Sequence, residues 1–112
     1  MGHSQCGVVT ATLEEALGRG SPETRNLRSI VDRVRPSIET MLSGRDRTDF
    51  DALMPDAVRA NVRASANHLR HGSELLEELI RKEGLLVVGA EYSLETGAVT
   101  FFDGVPSDAQ ID

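Results

Sequence analysis

The sequence predicts an α/β fold, mainly helical, with a C-terminal strand hairpin and an incomplete parallel sheet. Three observations carry this. Between residues 7 and 83 apolar side chains recur at helical spacing, punctuated by glycine, proline and capping hydroxyls. At Leu85-Leu86-Val87-Val88-Gly89 the pattern becomes a short uncharged run rich in β-branched residues, as in a strand buried on both faces. Ala90 to Leu94, the turn Glu95-Thr96-Gly97 and Ala98-Val99-Thr100-Phe101-Phe102 then read as a hairpin, with Gly97 supplying the positive φ of the turn.

Each helix has a readable start or stop. Val9, Leu13, Ala16 and Leu17 line a first helix from Gly7, and Gly18 and Gly20 end it. Ser21-Pro22-Glu23 is a start signal: a capping hydroxyl, proline at the first helical position, then an acid in the first turn. Leu27, Ile30, Val31 and Val34 share a face of that second helix. Pro36 is expected to break it, with Ile38, Met41 and Leu42 adding one or two turns beyond. The polar stretch Ser43–Asp49 reads as a surface loop. A longer helix is expected from about Pro55 to Gly72, burying Val58, Val62, Ser65 and Leu69. Ser73 can cap a last helix carrying Leu75, Leu76, Leu79 and Ile80, which Gly84 stops. The tail from Asp103 to Asp112 is expected to be a flexible end.

Composition bounds the function. With 112 residues the chain is a single small domain, 1–112. Its net charge of −6 disfavours a general grip on nucleic acid, which needs cations to neutralise phosphates. No apolar run approaches the roughly 20 residues that span a bilayer. The first six residues lack the basic and apolar regions of a secretory signal. One cysteine in the whole chain excludes an internal disulfide and fits a reducing, cytoplasmic setting.

That cysteine carries the chain's most informative motif. Gly2-His3-Ser4-Gln5-Cys6-Gly7 places a His and a Cys two residues apart where the first helix begins. Imidazole and thiolate are the usual ligands of zinc, and two intervening residues let both reach one ion from a tight turn. A tetrahedral site needs four positions filled, so His3 and Cys6 are half of one.

The segment Gly-His-Ser-Gln-Cys-Gly-Val at 2–8 resembles the second zinc-ligand motif of β-class carbonic anhydrases. Ala60-Asn61-Val62-Arg63 and Gly84-Leu85-Leu86-Val87-Val88-Gly89-Ala90-Glu91-Tyr92-Ser93-Leu94-Glu95-Thr96-Gly97 resemble that family's C-terminal half, in the family's order. The resemblance runs from Gly2 to about Asp103. It implies a mostly parallel sheet flanked by helices, and homo-oligomers built from dimers. It implies zinc as cofactor, held by Cys, His and Cys, and reversible hydration of carbon dioxide to bicarbonate by zinc-bound hydroxide. On it, His3 and Cys6 are the second and third protein ligands.

The departures carry equal weight. The family's first motif, Cys-x-Asp-x-Arg, supplies the remaining thiolate and an Asp–Arg pair that governs the open position. Neither Asp32-Arg33 nor Asp46-Arg47 is preceded by a cysteine. Met1 falls at an apolar position inside the family's third strand, so the resemblance implies a chain without the family's N-terminal half. The chain alone is then expected to be weakly active or inactive. The alternative is a non-catalytic interaction module or pseudoenzyme that pairs with another chain through the edge of the Leu85–Gly89 strand.

Other chemistry-bearing clusters have plainer readings. His68 and His71 stand at i, i+3, a spacing that metals use, but read as a solvated helix end. Glu14-Glu15 and Glu77-Glu78 are adjacent on helices, so their side chains diverge by about 100° and read as solvated faces. Arg25, Arg28, Arg33 and Arg35 read as an exposed basic face, and Gly89 as a point of close packing against a helix.

Overall fold

The computed structural model describes residues 1–20 and 27–106. The start signal Ser21-Pro22-Glu23 and Arg25 lie outside them, as do residues 107–112. The elements in order are β1 (Gly2–His3), α1 (Gly7–Ala16), α2 (Arg28–Leu42), α3 (Phe50–His71), α4 (Glu74–Lys82), β2 (Gly89–Tyr92) and β3 (Val99–Asp103). They fall into two compact units, one of residues 4–61 and one of residues 1–3 with 62–112. The long helix α3 contributes its first part to the former and its second part to the latter.

In the unit of residues 4–61, helices α1 and α2 pack together with the start of α3 around Val9, Leu13, Ile38, Leu42, Leu53, Ala57 and Val58. Gly18 ends α1 as expected, with a left-handed φ of 79°. Thr12 is fully buried, and its hydroxyl donates to the Val8 carbonyl at 2.8 Å, so its burial leaves no donor unmet.

Pro36 does not break α2, which runs through it to Leu42. The ring deletes one backbone donor, but Ile38 and Leu42 beyond it are completely buried, and that burial outweighs the single lost bond. Leu27 and Ile30 are exposed, whereas Val31 on the same helix is fully buried.

Helix α3 starts five residues earlier than expected. Asp49 is the reason: its carboxylate accepts from the Ala52 N–H at 3.2 Å, and Asp51 adds negative charge in the first turn. Pro55 therefore sits within the helix. The buried line runs Val58, Val62, Ala66, while Ser65 and Leu69 are exposed. Successive steps of four advance about 40° each, so the buried line winds around the helix, and positions 65 and 69, which keep to the face of Val58, are left exposed.

The polar loop at 43–49 is exposed, as expected. Arg45 pairs with Asp56 at 2.6 Å. The Thr48 hydroxyl (2.7 Å) and then its backbone N–H (2.9 Å) both donate to Asp46, holding that carboxyl below the usual carboxylate range.

Glu15 departs from its expected solvated state. It is largely buried and ion-paired with Arg28 at 2.8 Å and with Arg35. Arg28 and Arg35 accordingly clamp α2 to α1 instead of forming a free basic face.

In the other unit the sheet order is β1-β2-β3. β1 runs parallel to β2, with Gly2 opposite Glu91 and His3 opposite Tyr92, and β2 runs antiparallel to β3. The hairpin turn closes through Ser93 N–H to the Ala98 carbonyl at 2.8 Å, and Gly97 has φ 75°. A Cβ on Gly89 would stand 3.1 Å from Val62 on α3, the close helix packing its position predicts.

Residues 85–88, however, are not a strand buried on both faces. The ladders begin at Gly89, and Leu86 and Val88 are exposed. Their neighbours bond toward the helices instead: Leu85 N–H donates to the Leu79 carbonyl, and Arg70 donates to the Val87 carbonyl. Asp103 is not part of a flexible end, because it closes β3 and pairs with Arg70. Ser73 caps α4 as predicted, accepting from Leu76 N–H at 3.4 Å, yet no residue of α4 is buried.

Two measurements check this account. Leu13→Ala removes a fully buried side chain, and urea unfolding should show a loss of about 2–5 kcal/mol. Thr48→Val removes the stronger donor to Asp46, so an NMR titration should show that carboxyl moving up toward its ordinary value. Because the folded value is lowered, the contribution of Asp46 is present above the unfolded value. It disappears as pH falls through the folded one, so the cost of Thr48→Val should vanish in strong acid.

Candidate functional site

His3 ends the two-residue strand β1, opposite Tyr92. Gln5 takes a left-handed backbone conformation, φ 55°, the only non-glycine residue to do so among those described. Cys6 follows as the N-cap of α1 with no side-chain cap bond. Its carbonyl accepts both the Thr10 N–H and the Thr10 hydroxyl at 2.9 Å. The thiol is free and half-buried, against the core of residues 4–61. Local structure thus starts the helix exactly at the motif: the chain turns at Gln5, and the first backbone carbonyl of α1 is that of Cys6.

His68 and His71 lie near the end of α3, both exposed, and His71 Nδ1 stands 3.7 Å from a Glu77 carboxylate oxygen. Among the described residues, no group of three or more His, Cys, Asp or Glu side chains is placed to hold a metal ion. The donor types at His3 and Cys6 suit zinc, but two donors do not make a tetrahedral site. Among the described residues the donors therefore do not complete a zinc centre.

The sequence reading missed a polar cluster in the unit containing the sheet. Arg70, mostly buried, donates to the Val87 carbonyl at 2.5 Å and to the Asn67 side-chain oxygen at 2.8 Å. It also stands 3.0 Å from Asp103 Oδ2, off the hydrogen-bonding direction, so that contact is an ion pair. Arg63 lies farther from Asp103, at 3.9 Å, and its guanidinium stacks over Phe102 with 4.9 Å to the ring centre. A Cβ on Gly104 would collide with Arg70, so glycine there makes room for the guanidinium. Arg70 continues the line Val58, Val62, Ala66 by one more step of four, and that was its only signal in the sequence.

A depression of about 310 Å³ opens beside this cluster, lined by Arg70, His71, Glu77, Ile80 and Arg81. It faces the C-terminal turns of α3 and α4, where helix dipoles disfavour an anion, and Arg70 is already committed to Val87 and Asp103.

Among the described residues, four helices and a small mixed sheet, with a His-x-x-Cys motif leading into the first helix, define an α/β protein of the carbonic anhydrase kind. The family model described as carbonic anhydrase matches residues 1–99, and the chain belongs to the β-carbonic anhydrase family. Among solved structures, the β-carbonic anhydrase CcaA has the same fold, with a TM-score of 0.67 and 22% sequence identity. The match covers 92% of this chain and 48% of that one, so the chain spans about half the length of this relative. No curated protein matches significantly. No helix among the described residues is long and apolar enough to cross a membrane.

The Arg70 cluster makes a contrast that can be measured. Arg70→Met leaves the Val87 carbonyl without its donor and takes the nearer cation from the Asp103 carboxylate, which should cost about 1–3 kcal/mol in urea unfolding. Arg63→Met removes a more exposed and more distant cation and should cost about 1 kcal/mol or less.

Proposed function

We propose that this chain carries the His-x-x-Cys ligand pair of a carbonic anhydrase-type zinc site and serves carbon dioxide–bicarbonate interconversion. In this reading His3 and Cys6 are zinc ligands, and at least one further thiolate comes from outside these 112 residues. The observation that carries the proposal is the motif itself: His3 ends β1 and Cys6 caps α1 inside the segment that matches the family, and Cys6 is the sole cysteine.

What the chain's own residues supply is a starting geometry. β1 fixes the backbone of His3 through its ladder with β2, and the N-cap position fixes that of Cys6. Ligands held on a strand end and a helix start lose less freedom on binding an ion than ligands on a loop. Two ligands still give weak, exchangeable binding, so as an isolated polypeptide these residues are weakly active or inactive. A lone thiol also fits a reducing compartment such as the cytoplasm.

Cobalt(II) substitution tests the ligand assignment. The purified chain titrated with cobalt should show thiolate-to-metal absorption, which Cys6→Ser should abolish and His3→Ala should weaken about tenfold or more in affinity. Absorption that persists in Cys6→Ser overturns the assignment of Cys6. In a stopped-flow hydration assay with added zinc, the chain alone should give a rate close to buffer. Turnover typical of a complete zinc enzyme would overturn the view that a further ligand is needed.

A further inference from the structure

The sequence contains one aspartate followed by glycine, Asp103-Gly104, and no asparagine followed by glycine. A glycine in second place leaves the peptide nitrogen unshielded by a side chain, so such a pair closes to a cyclic imide more readily than other aspartyl pairs. Here the pair stands where β3 ends. Asp103 lies opposite Gly89 in the ladder, and Gly104 leaves it in a left-handed conformation, φ 69°. Gly104 is exposed, so water reaches this point of the chain.

Both reacting groups are restrained, and by the same side chain. Arg70 stands 3.0 Å from Asp103 Oδ2, with Arg63 farther off at 3.9 Å from Oδ1. Arg70 also packs against Gly104: a Cβ there would collide with the guanidinium and stand 2.8 Å from the Val87 carbonyl oxygen. Carboxyl carbon and peptide nitrogen can meet only when these contacts part.

We infer that Asp103-Gly104 is a latent isoaspartyl modification site that Arg70 keeps shut. In the reaction the Gly104 nitrogen bonds to Asp103 Cγ, and one carboxyl oxygen leaves as water with the amide proton and a carboxyl proton drawn from solvent. A second water then opens the imide. Attack at Cγ restores aspartate. Attack at the main-chain carbonyl carbon of Asp103 instead breaks its bond to the Gly104 nitrogen and leaves the chain running through Cβ, with no net change in mass. The extra methylene moves Gly104 off its seat and the carboxylate off the guanidinium, so the modification loosens the joint between α3 and β3. This inference is independent of the zinc ligands.

The full chain is incubated at constant temperature and pH, and electron-transfer mass spectrometry, which distinguishes the two linkages, follows residue 103. A free peptide of residues 100–106 gives the unrestrained rate, and the intact chain should be slower by about tenfold or more. Arg70→Met should accelerate the reaction about tenfold over the intact chain. Arg70→Lys, which keeps a cation without the planar fork, should accelerate it less and serves if the methionine variant does not fold. Leu13→Ala weakens the other unit without touching Arg70 and should leave the rate unchanged. Four results overturn the proposal: no product even in the peptide, an intact chain as fast as the peptide, both Arg70 variants at the wild-type rate, or Leu13→Ala as fast as Arg70→Met. The last would assign the reaction to global unfolding.

Discussion

Backbone N–H and carbonyl groups along residues 85–92 must find partners, and this requirement organises the unit that contains the sheet. From Gly89 onward the partners are strands. Before Gly89 they come from the helical side, and Arg70 is the decisive one. A single guanidinium meets the Val87 carbonyl and the Asp103 carboxylate, so the end of α3, the extended segment and the end of β3 are joined through one side chain. The small residues around it follow. Gly104 leaves room for the guanidinium, and Gly89 lets β2 lie against Val62. An apolar residue at position 70 would satisfy the helical pattern and leave the Val87 carbonyl without its donor and the Asp103 carboxylate without its nearer cation.

The unit of residues 4–61 is held differently, by a dry core and a local charge clamp. Leu13, Ile38 and Leu42 lose all contact with solvent, and Glu15 draws Arg28 and Arg35 of α2 toward α1. The core explains why α2 tolerates Pro36: apolar burial on both sides of the ring exceeds the worth of one backbone bond. Cys6 joins this core from its edge, so the residue read as a metal ligand is also a packing residue. A substitution there acts on both, which is why a spectroscopic signature is a better readout of ligation than stability.

Local signals in the sequence were legible wherever the determining partner was near in the chain. Gly18, Gly84 and Gly97 each mark a stop or turn by a positive φ, and Ser73 caps α4. The hairpin was readable because its two strands are joined by a short stretch, residues 93–98, that carries turn chemistry at Glu95-Thr96-Gly97. The failures all involve distant partners. Leu85–Val88 have strand composition, but composition does not say whether a neighbouring strand is present. Glu15 resembles its neighbour Glu14 until α2 brings two arginines to it. Asp103 looked like the start of a tail because Arg70, 33 positions earlier, is what holds it. The His-x-x-Cys motif was legible from spacing alone as a candidate ligand pair, and its family assignment rested on the downstream strand-and-turn segment rather than on His3 and Cys6.

Helix α4 is strongly amphipathic yet buries none of its residues, and Leu75 lies among the most exposed large apolar side chains. Dispersal of the chain then depends on mutual repulsion between negatively charged molecules, since its surface carries greasy patches that attract one another. Ionic strength screens that repulsion and leaves the apolar attraction intact. Colloidal behaviour is therefore governed by salt: dilute buffer keeps the molecules apart, and concentrated electrolyte brings them together while each remains folded.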